Sequence, residues 1–333
     1  MFIPVLLFTL GLILLIFGGN RFVDGATGIA YHFHIPELIV GATIVSIGTT
    51  LPEVMVSATS ALGGHGEIAY GNAIGSIICN TSLIAAVTIA VRPGKPDRRS
   101  LVVPVLFFFA AALFYTFTAY RFGHFSRSSG IILLALFLVY MVYIIRHNLP
   151  ERTATSASSS SASGGAEKAE DKQKEAHSII MNLLSLVIGA ITIAIGADLL
   201  VDNGTLIAQA LGVPESVIAL TFVALGTSLP ELVTAITSLI KGHSSLSLGN
   251  IIGANLFNLV LVSGISITLA PFDIPQGSMI AGHNASLVLD IPLMFVVMLI
   301  LTLPVFVRNK LSRIQGILLL ALYAAYCIFQ FTM

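Results

Sequence analysis

Charged residues are scarce in this 333-residue chain: Asp, Glu, Lys and Arg together make up 10% of it, whereas a typical soluble domain contains about 25%. Hydrophobic residues reach 56%. The formal net charge is zero, so no excess of basic residues points to a nucleic-acid partner. The composition therefore excludes an ordinary soluble domain and favours a protein embedded in the lipid bilayer.

The usual marks of enzyme and metal chemistry are also missing. The sequence has no HExxH zinc motif, no Walker phosphate loop and no nucleophile elbow, so we expect neither an enzyme nor a resident cofactor. Its two cysteines, Cys79 and Cys327, are widely separated within apolar runs. Such spacing fits packing residues rather than a disulfide framework or a soft-metal site.

Ten apolar stretches of the sequence predict ten membrane helices, since about 20 apolar residues span the roughly 30 Å hydrocarbon layer. No basic segment precedes the first stretch, so it predicts a helix rather than a cleaved signal peptide. A segment rich in Ser, Ala and charged residues, 150–177, predicts a flexible linker after the fifth helix. The predicted helices cover 3–23, 36–62, 69–91, 101–120, 129–146, 178–200, 214–240, 248–270, 285–307 and 313–332.

The Lys and Arg residues divide unevenly between the predicted loops. Loops after odd-numbered helices hold 14 of the 16 basic residues, and loops after even-numbered helices hold Arg121 and Arg127 alone. Basic loops remain on the cytoplasmic side of a membrane, so this bias places the linker inside and both termini outside. The sequence thus predicts a multi-pass protein of the cell (inner) membrane.

The two halves of the chain are copies of each other. Residues 36–89 overlay residues 214–267 without a gap, at an offset of 178, with 20 identities in 54 positions. Five helices per copy is an odd number, so the second copy must enter the membrane from the opposite side, as in the inverted repeats of secondary transporters. We therefore predict an all-α fold of two inverted five-helix repeats, 1–149 and 178–333.

Each half carries a glutamate in the middle of a membrane helix. The motifs GTTLPE and GTSLPE end in Glu53 and Glu231, each directly after a proline. Proline removes a helical hydrogen bond, so we expect broken helices with free carbonyl oxygens at Ser46–Thr49 and Ala224–Thr227. A charge at this depth costs at least about 2.5–3.5 kcal/mol. No Lys or Arg lies at comparable depth in the sequence, which favours a mobile cation as partner; a protonated structural glutamate is the alternative.

A second pair of motifs, GNAIGSIICN and GNIIGANLFN, follows in the next helix of each half. Asn80 and Asn258, which end these motifs, should lie deep enough to reach the glutamates. Asn72 and Asn250 have two possible roles, because polar residues also hold membrane helices together. All candidate ligands are oxygens, which suit Ca²⁺ and other hard cations. Two carboxylates balance one Ca²⁺, two Na⁺ or two protons.

Three further pairs of polar residues recur at the same offset of 178. A glutamate directly after a proline is typical of the first turn of a helix. We expect structural or surface positions for all three pairs: Glu37 and Glu215 in first turns, Asp24 and Asp202 near helix ends, and His65 and His243 in short loops.

The two motif pairs resemble the alpha repeats of the calcium/cation antiporter superfamily, and most nearly those of the prokaryotic sodium/calcium exchangers. The resemblance covers nearly the whole chain. It implies that Glu53 and Glu231 bind Ca²⁺ together with main-chain oxygens of Thr49 and Thr227. It also implies that the same carboxylates share Na⁺ with neighbouring oxygens and that two asparagines complete the centre: Ser46, Thr50, Ser76, Ala224, Ser228, Asn80 and Asn258.

The chain departs from the family pattern at three positions. Ala254 replaces a serine usual in the second repeat, and Ile77 replaces the asparagine that follows Ser76 in the first. Asn258 stands where potassium-dependent relatives carry aspartate. The loss of the serine hydroxyl puts a three-sodium stoichiometry in doubt, and the asparagine argues against a K⁺ requirement.

The sequence therefore favours a secondary antiporter that exchanges Ca²⁺ for Na⁺ by alternating access, with these ions and the bilayer as its partners. Exchange of Ca²⁺ or another cation for H⁺ is the main alternative, since the same glutamates can carry protons. A passive cation channel, which predicts flux without a counter-ion, and a non-transporting membrane scaffold are further alternatives.

Overall fold

The computed structural model describes residues 2–148, 165–211, 226–276, 279–280 and 282–332. Within these ranges the chain is almost entirely helical, because apolar sequence in a bilayer must satisfy its own backbone hydrogen bonds. Two short antiparallel pairs occur in the loops. They are β1 (His124–Phe125) with β2 (Phe272–Asp273), and β3 (Met279–Ile280) with β4 (His283–Asn284).

The described helices are numbered α1 to α10 in chain order, and each includes any π-helical turn within it. Nine of them are long and apolar enough to cross a membrane. The seventh is shorter because the chain turns at Thr227 and Ser228 just before it; residues 212–225 lie outside the described ranges. The predicted all-α, polytopic fold is confirmed. The helices are α1 Phe2–Phe33, α2 Glu37–Leu62, α3 Gly66–Val91, α4 Arg98–Phe122, α5 Arg127–Asn148, α6 Gly165–Ala210, α7 Leu229–Ile240, α8 Ser244–Leu269, α9 Ser286–Arg308 and α10 Arg313–Thr332.

Helix α6 begins at Gly165, inside the segment predicted to be a flexible linker. Residues 165–177 are therefore helical, in contrast to the prediction, whereas residues 150–164 lie outside the described ranges. The sequence offers a reason, since alanine recurs here and Glu170 precedes Lys174 by one helical turn, an order that stabilises helices. The charged segment thus extends a membrane helix.

Helices α1 and α6, the first of each half, pack against each other through glycines. A Cβ atom added at Gly11 would lie 2.8 Å from the carbonyl oxygen of Gly196, and one added at Gly18 would lie 3.0 Å from that of Gly189. Such close approach of two membrane helices requires small residues. Residue numbers rise along α1 as they fall along α6, so equivalent helices cross in opposite directions. This antiparallel contact confirms the inverted orientation of the two halves.

The helices around the centre contain several π-helical turns. Those of α3 and α8 begin at the equivalent residues Asn80 and Asn258. The carbonyl oxygen of Ala42, in the π-helical turn of α2, accepts a hydrogen bond from the Tyr140 hydroxyl at 2.8 Å. Such turns occur frequently at functional sites. Within the described ranges the π-helical segments are Gly41–Val45, Asn80–Ala85, Asn258–Val262 and Ser286–Asp290.

The helix break predicted at the two proline motifs is present in one half only. In the second half the chain turns at Thr227 and Ser228, and α7 begins at Leu229. In the first half α2 remains α-helical through Pro52, so the break predicted there was wrong. A proline bends a helix without ending it when the neighbouring turns adjust, and the π-helical turn of α2 lies just before this motif.

The loop before α4 ends in a helix cap whose contribution to stability can be tested. Asp97 accepts hydrogen bonds from the backbone N–H groups of Arg99 (3.2 Å) and Ser100 (3.1 Å). The Ser100 hydroxyl also donates to this carboxylate, and that bond, more than the backbone bonds, lowers the pKa of Asp97. We expect Asp97→Ala to lower the free energy of unfolding by about 0.5–2 kcal/mol, and Asp97→Asn to lower it less.

The pKa of Asp97 is lower in the folded state than in the unfolded state. Its contribution to the free energy of unfolding is therefore present above the unfolded-state pKa and is lost as the pH falls through the folded-state pKa. Thermal melts of the wild type and both variants at neutral and acid pH test this. A difference between wild type and Asp97→Ala that persists in strong acid would contradict the capping role.

Candidate cation site

Glu53 of α2 and Glu231 of α7 lie where α2, α3, α7 and α8 pack together. Neither side chain is exposed, and the two carboxylates are close enough to interact electrostatically. Their four oxygen atoms have no hydrogen-bond partner in the described part of the chain. Among the described Lys, Arg and His residues, none forms an ion pair with either glutamate. The fold therefore places two acidic groups together without a basic neighbour.

Uncharged polar groups surround the two carboxylates. Thr50 lies beside Glu231, and its hydroxyl, the Ser228 hydroxyl and the amides of Asn80 and Asn258 are buried without partners among the described residues. The π-helical turn that begins at Asn80 packs against α7, and the one at Asn258 packs against α2. Each buried polar group left unpaired costs about 1–3 kcal/mol, so this cluster is well suited to bind an ion.

Two equivalent hydrogen bonds hold the halves together beside the carboxylates. The Thr49 hydroxyl donates to Asn250 Oδ1 at 3.2 Å, and the Thr227 hydroxyl donates to Asn72 Oδ1, also at 3.2 Å. The Asn72 amide in turn donates to the backbone carbonyl of Glu53 at 3.2 Å. Of the two roles open to Asn72 and Asn250, these bonds favour the positioning of helices.

The other predicted ligands lie around this centre. Ser46 donates to the carbonyl oxygen of Asn250 at 2.9 Å, and its hydroxyl therefore ties α2 to α8. Ser76 is buried and lines a cavity that also reaches Thr227. Ala224 lies outside the described residues.

Two features of the centre had little signal in the sequence. The Thr234 hydroxyl, one turn after Glu231, is buried without a partner in the described structure. Its equivalent in the first half is Val56, so the repeat did not single it out. The π-helical turns at Asn80 and Asn258 were also missed, because an extra residue in one turn leaves hydropathy unchanged.

Polar contacts connect the loop between α7 and α8 to the first two helices. His243, expected at the surface, is instead 24% exposed, and its ring Nδ1 lies 2.8 Å from Glu37 Oε1. Glu37 stands in the first turn of α2, as predicted. The Lys241 ammonium lies 2.7 Å from the Asp24 carboxylate. The loop between α7 and α8 is thereby joined to α1 and α2.

Two cavities lie beside the centre without reaching its carboxylates. They are about 590 Å³ and 380 Å³ in volume; both reach Thr227, and the larger also reaches Thr49. Neither is lined by Glu53 or Glu231, which are fully buried. Where α8 packs on α2, a Cβ atom at Gly249 or Gly253 would overlap atoms of α2. The carboxylates are therefore enclosed in the described structure.

The sequence profile of the family described as sodium/calcium exchanger protein matches residues 3–146 and 181–332, which include both halves of the repeat and both glutamate motifs. The chain belongs to the sodium/calcium exchanger family. Members of this family are transporters rather than enzymes. The resemblance predicted from the two motif pairs is thereby confirmed.

Relatives of similar length support the same family. An uncharacterized membrane protein of Methanocaldococcus jannaschii is 33% identical, with 95% of this chain and 94% of that protein covered. The sodium/calcium exchanger MaX1 of Methanosarcina acetivorans is 28% identical, with 98% of both chains covered. The solved structure of the sodium-calcium exchanger NCX_Mj, soaked with Na⁺ and Ca²⁺, is 30% identical, with a TM-score of 0.77 over 97% of both chains. The sodium/calcium exchanger family and this structural likeness identify a multi-pass membrane protein that exchanges cations, Ca²⁺ among them.

Proposed function

We propose that this chain is a secondary active antiporter that exchanges Ca²⁺ for Na⁺ by alternating access. Glu53 and Glu231 bind both ions in turn, and main-chain oxygens of Thr49 and Thr227 complete the Ca²⁺ site. Apart from the transported ions, the exchange requires no cofactor. The Na⁺ ions share the carboxylates with oxygens of the surrounding residues, which are Ser46, Thr50, Ser76, Ala224, Ser228, Asn80 and Asn258.

The observation that carries this proposal is the pair of buried carboxylates, which form no ion pair with any described Lys, Arg or His residue. Two negative charges in a low-dielectric interior repel each other strongly, so the site favours the entry of positive charge. One Ca²⁺ or two Na⁺ neutralises a charge of −2, and either cargo therefore leaves the site near neutrality. The donors are all oxygens, as a hard cation such as Ca²⁺ requires.

The repeat and the bonds across the centre support alternating access. The Thr49–Asn250 and Thr227–Asn72 hydrogen bonds are equivalent and join one half of the chain to the other. Inverted repeats allow the two halves to exchange their environments by moving relative to each other.

We place both termini outside the cell (inner) membrane, because 14 of the 16 basic residues lie in or beside the predicted loops on the other side. The smaller cavity extends toward Ile68 and Gln330, which lie near the loop after α2 and the C-terminal end of α10. In this orientation the smaller cavity lies toward the external face.

Exchange of Ca²⁺ for H⁺ is the second candidate. Ala254, where family members usually carry a serine, is fully buried and offers no side-chain oxygen to Na⁺. Glu53 and Glu231 supply two carboxylates that can accept protons without further ligands. This candidate uses the same centre and differs only in the coupling ion.

Ca²⁺ flux measured with purified protein in sealed liposomes separates the two candidates. We expect an outward Na⁺ gradient to drive Ca²⁺ uptake, and an imposed pH gradient without Na⁺ to drive none. Protein-free liposomes and Na⁺ replaced by choline serve as controls. Uptake that follows the pH gradient and ignores Na⁺ would overturn the sodium coupling in favour of proton coupling.

A further inference from the structure

A polar cavity of about 250 Å³ lies near the C-terminal ends of α3 and α7, apart from the central site. The end of α3 and the loop after it form one wall, and the end of α7 and the start of α8 form the other. None of the residues proposed to bind the transported ions lines it. The cavity is therefore a separate feature, built from both halves of the repeat.

The donors around this cavity are those that recognise an oxyanion. Arg92 and Lys95 line it from the loop after α3. Ser244 begins α8, whose N-terminus has no side-chain cap, and uncapped N–H groups at a helix start attract phosphate. Ser247, one turn further on, is only 2% exposed and lines the cavity. Its hydroxyl has no hydrogen-bond partner in the described structure.

One carboxylate also lines the cavity, and one of its oxygens contacts a neighbouring histidine ring. Glu37 Oε1 lies 2.8 Å from the ring Nδ1 of His243. Arg92 makes only a long contact, 3.5 Å, with the carbonyl oxygen of Leu239. Arg92 and Lys95 form none of the ion pairs found in the described part of the chain. The cavity thus has positive charge available to a ligand.

The equivalent place in the other half shows that the repeat does not require such a cavity. Phe272, at the position equivalent to Gly94, packs directly on the start of α3 there. The positions equivalent to Lys95 and Ser245 carry Asp273 and Glu67. In the other half the equivalent space is therefore occupied by Phe272 and bordered by acidic residues, whereas the cavity here is empty of side chains and bordered by basic residues.

We propose that this cavity binds a phosphate-type oxyanion, held by Arg92, Lys95, the Ser247 hydroxyl and the start of α8. The anion comes either from free phosphate or from the headgroup of an acidic lipid. Most basic loop residues of the sequence lie on this face, where anionic lipids concentrate in cell membranes. A bound anion joins the loop after α3 to the start of α8 and so stabilises the contact between the two halves here.

Thermal unfolding of the full-length protein tests the site without any measurement of ion exchange. Two probes are used in Ca²⁺-free buffer: inorganic phosphate against chloride at equal ionic strength, and phosphatidylcholine nanodiscs with and without phosphatidic acid. We expect a saturable rise in melting temperature with at least one probe. Arg92→Gln combined with Lys95→Gln should weaken the apparent affinity at least about tenfold, since hydrogen bonds to charged groups contribute about 1.5–3 kcal/mol each.

Two matched variants separate a built site from general surface charge. Arg99→Gln removes a charge from the first turn of α4, just after this loop and outside the cavity, and should change the affinity less than about twofold. Gly94→Phe keeps every charge and fills the cavity as Phe272 fills its counterpart, and should abolish the response.

Each outcome of this experiment is decisive. A response to phosphatidic acid alone assigns the site to a lipid headgroup, and a response to phosphate alone assigns it to a soluble anion; both support the proposal. No response to either probe, an equal loss in Arg99→Gln, or an unchanged response in Gly94→Phe would overturn it. Because binding is measured without flux, failure here leaves the proposed exchange untouched, and failure of exchange leaves this site untouched.

Discussion

Glu53→Gln or Glu231→Gln should abolish Ca²⁺ uptake into liposomes. Each substitution keeps the shape of the side chain but removes one of the two buried negative charges that hold the ion. Removal of one partner from a buried charge pair costs about 3–5 kcal/mol, which corresponds to a loss in Ca²⁺ affinity of more than about a hundredfold. Isotopic Ca²⁺ uptake and calorimetric Ca²⁺ binding measure the two effects.

Stability measurements distinguish an ion site from a structural carboxylate. The four oxygens of Glu53 and Glu231 have no hydrogen-bond partner in the described structure, so neither variant should lower the melting temperature of the ion-free protein. Both should instead lose the stabilisation that Ca²⁺ gives the wild type. Glu67→Gln, which changes an exposed glutamate in the first turn of α3, should behave as the wild type. A variant with a lower melting temperature than the wild type in the absence of ions, but with unchanged Ca²⁺ uptake, would contradict the assignment.

Gly253→Ala should disrupt the packing of α8 on α2. A Cβ atom at this position would overlap the Ser46 hydroxyl and approach the backbone of Ala42 at 2.6 Å. Overpacking of this kind costs about 1–3 kcal/mol, so we expect a lower melting temperature and a lower rate of Na⁺-driven Ca²⁺ uptake. Thermal melts and flux assays on the same preparation measure both.

Another glycine of the repeat motif supplies a control for this substitution. Gly71 of α3 is exposed. Alanine is also the better helix former by about 1 kcal/mol. Gly71→Ala should therefore leave stability unchanged or raise it. Equal destabilisation by the two substitutions would mean that overpacking of α8 on α2 is not the cause.

The features predicted well from the sequence are those that the bilayer and the repeat impose. Charge-free runs predicted the helices because a membrane tolerates few charges. The offset of 178 residues predicted that Glu53 and Glu231 belong to equivalent helices, and inverted repeats place equivalent helices across one axis. Their proximity in the structure therefore follows from the sequence pattern alone.

The remaining features depend on contacts between distant parts of the chain, which a local sequence pattern does not predict. His243 lies in a short loop whose sequence predicts a surface position, yet its ring contacts Glu37 from the other half of the chain. Helix α2 passes through Pro52 although a local rule predicts a break, because packed neighbours and a nearby π-helical turn hold the chain. The helix at 165–177 was missed because a charged, alanine-containing segment suits both a linker and a helix.

The central claim is that Glu53 and Glu231 together hold the transported cation. The most direct measurement is the anomalous difference density of crystals soaked with Sr²⁺, a heavier substitute for Ca²⁺, with and without competing Na⁺. We predict one strong peak between the two carboxylates that weakens as Na⁺ increases. Carboxylates bonded to each other or to a basic side chain, with the Sr²⁺ peak elsewhere, would contradict it.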